Sequence, residues 1–309
     1  MAFLNEQYTL SWLVSILRKM MTSRETSDKK IKYNDTTCSK GAFLRGSEQK
    51  VIAYSIYGDI ASLENQSKGY FEGIEENLKL ILQLYPGWSV RLYHEYDVNK
   101  LAIKQLCNLA CTYSILDLCS INKLPFSRTI ENITRVYPKN WRYFPTLDPQ
   151  IKLFASRDLD SRVTSREVEA VREWINLSNQ PIHVMRDHPH HDVGMLGGLW
   201  DTKLDSKDSR AFWKEVWKKL LKDPLTFSDR ENLDADQAIL EKYVWQPFGQ
   251  HNSFQHDAFN CKKFKTSVGW PTERKLEPNN FVASVFTQNI TLRKKCPIFC
   301  RRFNEWEYC

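Results

Sequence analysis

Two aspartates one residue apart, Asp158 and Asp160, stand in the stretch Arg157-Asp158-Leu159-Asp160-Ser161-Arg162. Carboxylate oxygens are hard ligands that suit Mg2+ or Mn2+. An ion held by them can bridge a diphosphate and neutralise its charge as it leaves. Arg157 and Arg162 would add hydrogen-bond donors for phosphate oxygens. A bare D-x-D pattern is common in turns and on surfaces, so its weight depends on the elements that position it.

The run Ile151 to Ser156 (IKLFAS) is apolar and predicts a central strand that ends directly in the aspartates. A helix follows. Thr164 with Glu167 three residues on is a capping-box pattern, and Val168, Val171, Trp174 and Ile175 form its apolar stripe. The carboxyl end of a strand before a capped helix is where open α/β sheets bind ligands. Upstream, residues 51–57 (VIAYSIY) predict a first strand, followed by Gly58. Residues 73–85 predict a helix stopped by Pro86-Gly87. Residues 88–94 predict a second strand, 98–110 a helix and 113–118 a strand. This β-α-β-α-β order predicts a mixed, mostly parallel sheet flanked by helices. Downstream, Ile182 to Met185 predict a strand, and Phe212, Trp213, Val216, Trp217, Leu220 and Leu221 an amphipathic helix. Residues 234–245 predict another helix, and 251–309 are irregular. The chain from 50 to 309 is expected to be one large α/β domain. Residues 1–49 are expected to be a tail and linker.

Other residues along this frame have the right chemistry. Tyr57 and Gly58 end the first strand, where they either close it or meet a ligand. Arg186 and Asp187 follow a strand, either as a structural ion pair or as a grip on a diphosphate. His188, His190 and His191 are too close along an extended chain, with Pro189 among them, to converge on one metal. They predict a loop lining a cleft. Gly197 and Gly198 allow a tight turn or a close backbone approach. Asp236 opens a helix, either as an N-terminal cap or as a carboxylate that takes a proton from an attacking hydroxyl. Asp201 and Asp257 are alternatives for that proton-accepting role.

The 309 residues carry 44 basic and 37 acidic side chains, a net charge of +7 that is dispersed along the chain. No basic helix, RNA-binding motif or zinc-finger spacing is present, so nucleic acid is not an expected partner. Residues 8–21 have an apolar core of about ten residues, shorter than the roughly 18 of a membrane span. They read either as the remnant of a signal anchor or as an amphipathic helix, and membrane association is expected only with an anchor. Eight cysteines permit a disulfide framework, and N-x-S/T triplets begin at Asn34, Asn65, Asn132, Asn176 and Asn289. Together they point to the Golgi or endoplasmic reticulum lumen, with the cytosol as the alternative. Cys296 and Cys300 lack a second close pair that would complete a zinc site.

The ordered blocks VIAYSIYGD, YPGWSVRLYH, LFASRDLDSRVTSREVEAVREWI, HVMRDHPHHDVGMLGGLW, DQAIL and QHDAF resemble a family of GT-A-type glycosyltransferase-like proteins over residues 50–300. The resemblance implies a Rossmann-like nucleotide-diphospho-sugar transferase fold and a divalent metal at the D-x-D. It implies transfer of a sugar, from a UDP-sugar as the expected donor, to a glycan, protein or lipid acceptor, in the manner of a hexosyltransferase. By the same resemblance Asp160 is the direct metal ligand, Asp158 touches the sugar and ribose side, and His256 is a third ligand. Tyr57 and Gly58 lie where such folds hold the nucleobase. Trp200-Asp201 departs from the family pattern, in which Gly follows the Trp. Two other functions remain open: a metal-dependent hydrolase built on the histidines and aspartates, and a catalytically silent member that binds glycans or a partner.

Overall fold

The computed structural model describes residues 31–58, 70–128, 133–227 and 234–309. The predicted tail segment 8–21 and the triplets at Asn65 and Asn132 lie outside these residues. Seven strands form one sheet in the order β3-β2-β1-β4-β6-β5-β7. They are β1 (Gln49–Ile56), β2 (Ser89–His94), β3 (Leu116–Ser120), β4 (Ile151–Ser156), β5 (Ile182–Arg186), β6 (Trp200–Lys203) and β7 (Ser253–Asp257). Pairing is parallel between β1 and β2, β2 and β3, β1 and β4, and β5 and β7. Only β6 runs against its neighbours β4 and β5. This is the mixed, mostly parallel α/β sheet that the sequence predicts.

The chain leaves β1 toward β2 and β3 on one side, and leaves β4 toward β5, β6 and β7 on the other. The β1–β4 pair is therefore the point where strand order reverses, and the crevice beyond its carboxyl ends is the expected ligand position. Residues 57–58 and 157–160 follow those two ends.

Both faces of the sheet are buried, and the strands alternate between them. Ile52, Tyr54 and Ile56 join one apolar cluster, while Val51 and Ala53 join the other. The first cluster includes Ile74, Leu78 and Ile81 of helix α2 (Tyr70–Leu84), Ala102 and Leu106 of α3 (Lys100–Thr112), and Val171 and Trp174 of α4 (Ser165–Leu177). The second includes Trp213, Val216 and Trp217 of α5 (Lys207–Leu220), so these tryptophans are core. Thr164 caps α4 by accepting from the Glu167 N–H at 3.2 Å. The other half of the predicted capping box is replaced: the Glu167 carboxylate turns inward to Arg157 and Tyr85.

Three expectations are corrected. Residues 33–48 are part of the domain, which forms one compact unit over Tyr33–Cys309. They include a short helix, α1 (Lys40–Leu44). Thr36 and Thr37 hydrogen-bond to the buried Asp148 carboxylate, which also pairs with buried Arg91 at 2.7 Å. Strands β6 and β7 lie in stretches that the sequence reads as loop or irregular. The predicted helix over 234–245 is a short one, α6 (Ala235–Leu240), that passes into a π-helical stretch over Glu241–Gly249.

Disulfides join Cys38 to Cys119, Cys261 to Cys300, and Cys296 to Cys309. Cys107 and Cys111 are free and exposed. The Cys38–Cys119 bond spans 81 residues and ties the segment before β1 to the end of β3. Long closed loops restrict the unfolded chain most. Replacing both cysteines by serine is expected to lower stability by about 2–4 kcal/mol, read from the urea unfolding midpoint.

Candidate functional site

The chain leaves β4 through Arg157, whose side chain turns inward and is buried. It donates to Glu167 at 2.7 Å, to Asp201 at 2.8 Å, and to the carbonyls of Ser156 and Trp200. With Arg157 anchored below, Asp158 emerges into a cleft of about 170 Å³ that Arg142, Gly197, Gly198, Asp236, Lys139 and His191 also line. The Arg142 guanidinium bridges the two acids there. One nitrogen donates to Asp158 Oδ1, and another donates to Asp236 Oδ2 at 2.9 Å. Arg142 lies on the 3-10 segment Pro138–Leu147, and its N–H donates to Ser55 Oγ of β1.

The twin glycines make room for these side chains. A Cβ on Gly198 would stand 2.0 Å from Asp158 Oδ2, and one on Gly197 would stand 2.4 Å from Asp236 Oδ2. No residue with a side chain fits either position unless the acids move. Asp236 is buried, and its Oδ1 has no hydrogen-bond partner. Burial raises its pKa, and the Arg142 charge opposes the rise. The carboxylate is part of the cleft wall beside Asp158, with Oδ1 enclosed behind it.

Asp160 is half-buried, and its carboxyl pKa is pushed up to about 6, first by burial and then by the negative charge of Asp158. Two carboxylates that repel each other in a partly dry turn are stabilised by a cation. Magnesium-type ions are commonly held by one or two carboxylates, with substrate oxygens and water completing the shell. Asp158 and Asp160 fit that description. Among the described residues, the one group of three His, Cys, Asp or Glu ligand atoms close enough for a metal is Asp257, Cys261 and Cys300. Its two sulfurs are already joined in a disulfide.

Several sequence candidates are structural instead. His256 is fully buried with both ring nitrogens engaged, Nδ1 with His183 at 2.8 Å and Nε2 with Glu173 at 3.2 Å. Burial drives its pKa down to about 3. It has no free nitrogen to offer the metal ligand set with Asp160. Asp201 is buried between Arg157 and His183, at 2.8 and 2.7 Å, so it is not a proton acceptor for substrate. Asp257 closes a turn by accepting from the N–H groups of Phe259 and Asn260, and stands 3.5 Å from Arg186. Arg186 is buried over the Phe264 ring and donates to the Val193 carbonyl. Asp187 accepts twice from Arg166 and once from Val282 N–H. Arg157, Arg186 and Asp187 are thus withdrawn from any donor.

The remaining candidates stay near the aspartates. Tyr57 is half-buried, and the charges of Arg142, Asp236 and Asp158 all act on it. Gly58, at φ +93°, donates its N–H to Glu95. Arg162 donates to Glu76 and to the Leu159 carbonyl and faces a neighbouring cavity. His191 lines the Asp158 cleft and accepts from Asp187 N–H through Nδ1. Arg142 and Lys139 were not singled out from the sequence. Arg142 carried one signal: a cation inside the aromatic run Trp141 to Phe144 has to be buried with an acid.

No family model matches the chain, and no curated protein matches it. Solved structures do. One is a glycosyltransferase involved in the glycosylation of the major capsid of PBCV-1, 13% identical, covering 71% of this chain and 89% of that one at a TM-score of 0.34. Another is 4-diphosphocytidyl-2C-methyl-D-erythritol synthase from Anaerococcus prevotii, 9% identical over 65% of this chain and 85% of that one, with a TM-score of 0.38. A third is S. aureus TarS 1-349, 8% identical over 64% of this chain and 56% of that one, with a TM-score of 0.36.

The raised Asp160 pKa has a consequence for stability. The folded state holds this proton more tightly than the unfolded chain, so its contribution is present below about pH 3.8 and is lost as pH rises through about 6. In metal-free buffer at pH 7.5, Asp160→Asn is therefore expected to be more stable than the wild type, by up to about 3 kcal/mol. The gain should vanish below pH 4 in urea titrations.

Proposed function

We propose that this protein is a metal-dependent glycosyltransferase that moves a sugar from a nucleoside-diphosphate donor, a UDP-sugar, to an acceptor hydroxyl. One observation carries the reading. Asp158 and Asp160 follow the carboxyl end of β4 at the reversal of strand order, and Asp158 shares one cleft with a further buried acid, Asp236. The resemblance of the sequence blocks to GT-A-type transferases supports it.

Asp158 and Asp160 would hold Mn2+ or Mg2+, which when bound supplies neutralisation of the diphosphate charge. Lys139 and Arg142 bring positive charge to the same cleft wall for the anionic donor. Arg142 holds Asp236 Oδ2 at the cleft wall. Asp236 is the base: its carboxylate takes the proton from the acceptor hydroxyl as that oxygen attacks the anomeric carbon, whose bond to the diphosphate oxygen breaks and releases the nucleoside diphosphate. Gly197 and Gly198 let the donor approach the backbone without a side chain between. The hydrolase reading loses its metal cluster, because among the described residues His188, His190 and His191 belong to no group of three ligand atoms close enough for a metal.

The three disulfides fit a secretory-pathway lumen. Asn34, Asn176 and Asn289 are exposed, as modification of their triplets requires. No helix among the described residues is long and apolar enough to cross a membrane.

Calorimetry with UDP and Mn2+ tests the donor site. Binding should require the metal and disappear in Asp160→Asn without loss of fold. Metal-independent UDP binding, or binding that survives the substitution, would overturn the reading. Once an acceptor is in hand, Asp236→Asn is expected to lower kcat about 10²- to 10⁴-fold while UDP binding persists.

A further inference from the structure

A second cavity adjoins the aspartate turn. It encloses about 620 Å³, against about 170 Å³ for the cleft at Asp158 and Asp236. The two share one wall. Ala283 faces the smaller cleft, while Ser284 and Phe286 face the larger cavity. That wall is fixed to the acidic turn: Ser161 and Val285 form an antiparallel bridge, and Phe286 N–H donates to the Asp160 carbonyl at 2.9 Å. The chain from Asp158 to Arg162 thus runs from one cavity to the other.

The lining chemistry of the two cavities differs. The smaller one sets Lys139 and Arg142 against Asp158 and Asp236. The larger one sets Glu72 and Glu277 against a single cation, Arg162, which is already bound to Glu76. An anionic ligand is repelled there. What the larger cavity offers instead is a partly exposed aromatic ring, Phe286, over which the Arg162 guanidinium lies at 4.6 Å, with amides, hydroxyls and carboxylates around it. Asn279 Oδ1 is buried at this site with no partner. Asn279, Ala283 and Asn289 all hold positive φ, at 53°, 64° and 52°, so three residues with a Cβ in this one loop adopt an unfavourable backbone. Such strain collects where a loop is shaped for a ligand.

We propose that this cavity binds an uncharged saccharide. A sugar ring has an apolar C–H face for the exposed part of the Phe286 ring, and hydroxyls for the Glu72 and Glu277 carboxylates. Saccharide binding here does not depend on the transferase reading. Saturation-transfer NMR of the full chain with lactose, maltose and N,N′-diacetylchitobiose tests it. At least one disaccharide should receive saturation. Phe286→Ala should weaken its binding tenfold or more, and Glu277→Gln should weaken it measurably. Both side chains are exposed, so the fold should survive, and Glu277 lies outside the Asp158 cleft, so manganese-dependent UDP binding should be unchanged in Glu277→Gln. No transfer to any of the three disaccharides, or transfer unaltered in both variants, overturns the proposal. Disaccharide binding without UDP binding would remove the transferase reading and leave the saccharide site standing.

Discussion

The buried guanidinium of Arg157 fixes the geometry of the site. It is a permanent charge in the core, and it is tolerable only because Glu167 and Asp201 pair with it and two carbonyls accept its remaining protons. Those partners come from the first turn of α4 and from β6, so one side chain ties strand, helix and antiparallel strand together. The network continues from Asp201 to His183, to His256, to Glu173 and to Arg302. His256 stays neutral within it because burial holds its pKa near 3. Removing one member would leave its partner charged and dry, at a cost of about 3–5 kcal/mol. The next residue, Asp158, faces the cleft because Arg157 faces the core.

A second constraint is space. Arg142 holds Asp158 and Asp236 together, and the glycines at 197 and 198 let all three side chains sit against the backbone. The two constraints act on opposite sides of one turn. The network beneath sets the direction of the carboxylates, and the glycine wall sets how closely a ligand can approach them.

The sheet was largely legible in the sequence, because apolar runs of period two and stripes of period 3.6 report burial directly. Residues 51–57, 151–156 and 182–185 show this. Strand β6 did not stand out, since its four residues, Trp200 to Lys203, include an aspartate and a lysine. Its membership depends on Arg157 and His183, which neutralise Asp201 from other elements. Residues 33–48 are polar and lack periodicity, yet a disulfide and the Asp148 carboxylate hold them to the sheet.

The sequence by itself determined that two aspartates follow the central strand and precede a capped helix. Both features are local, and local patterning encodes them. Sequence order could not decide which charged residues face the cleft. Arg157, Asp158, Asp201, Asp236, His256 and Asp257 offered similar chemistry on paper. Only the tertiary structure separated them, because burial and pairing depend on neighbours that are distant along the chain. His256 and Asp201 are held away from the cleft by such neighbours, while Asp236 lines it beside Asp158. Arg142, unremarkable among its aromatic neighbours, became the link between the two acids that line the cleft.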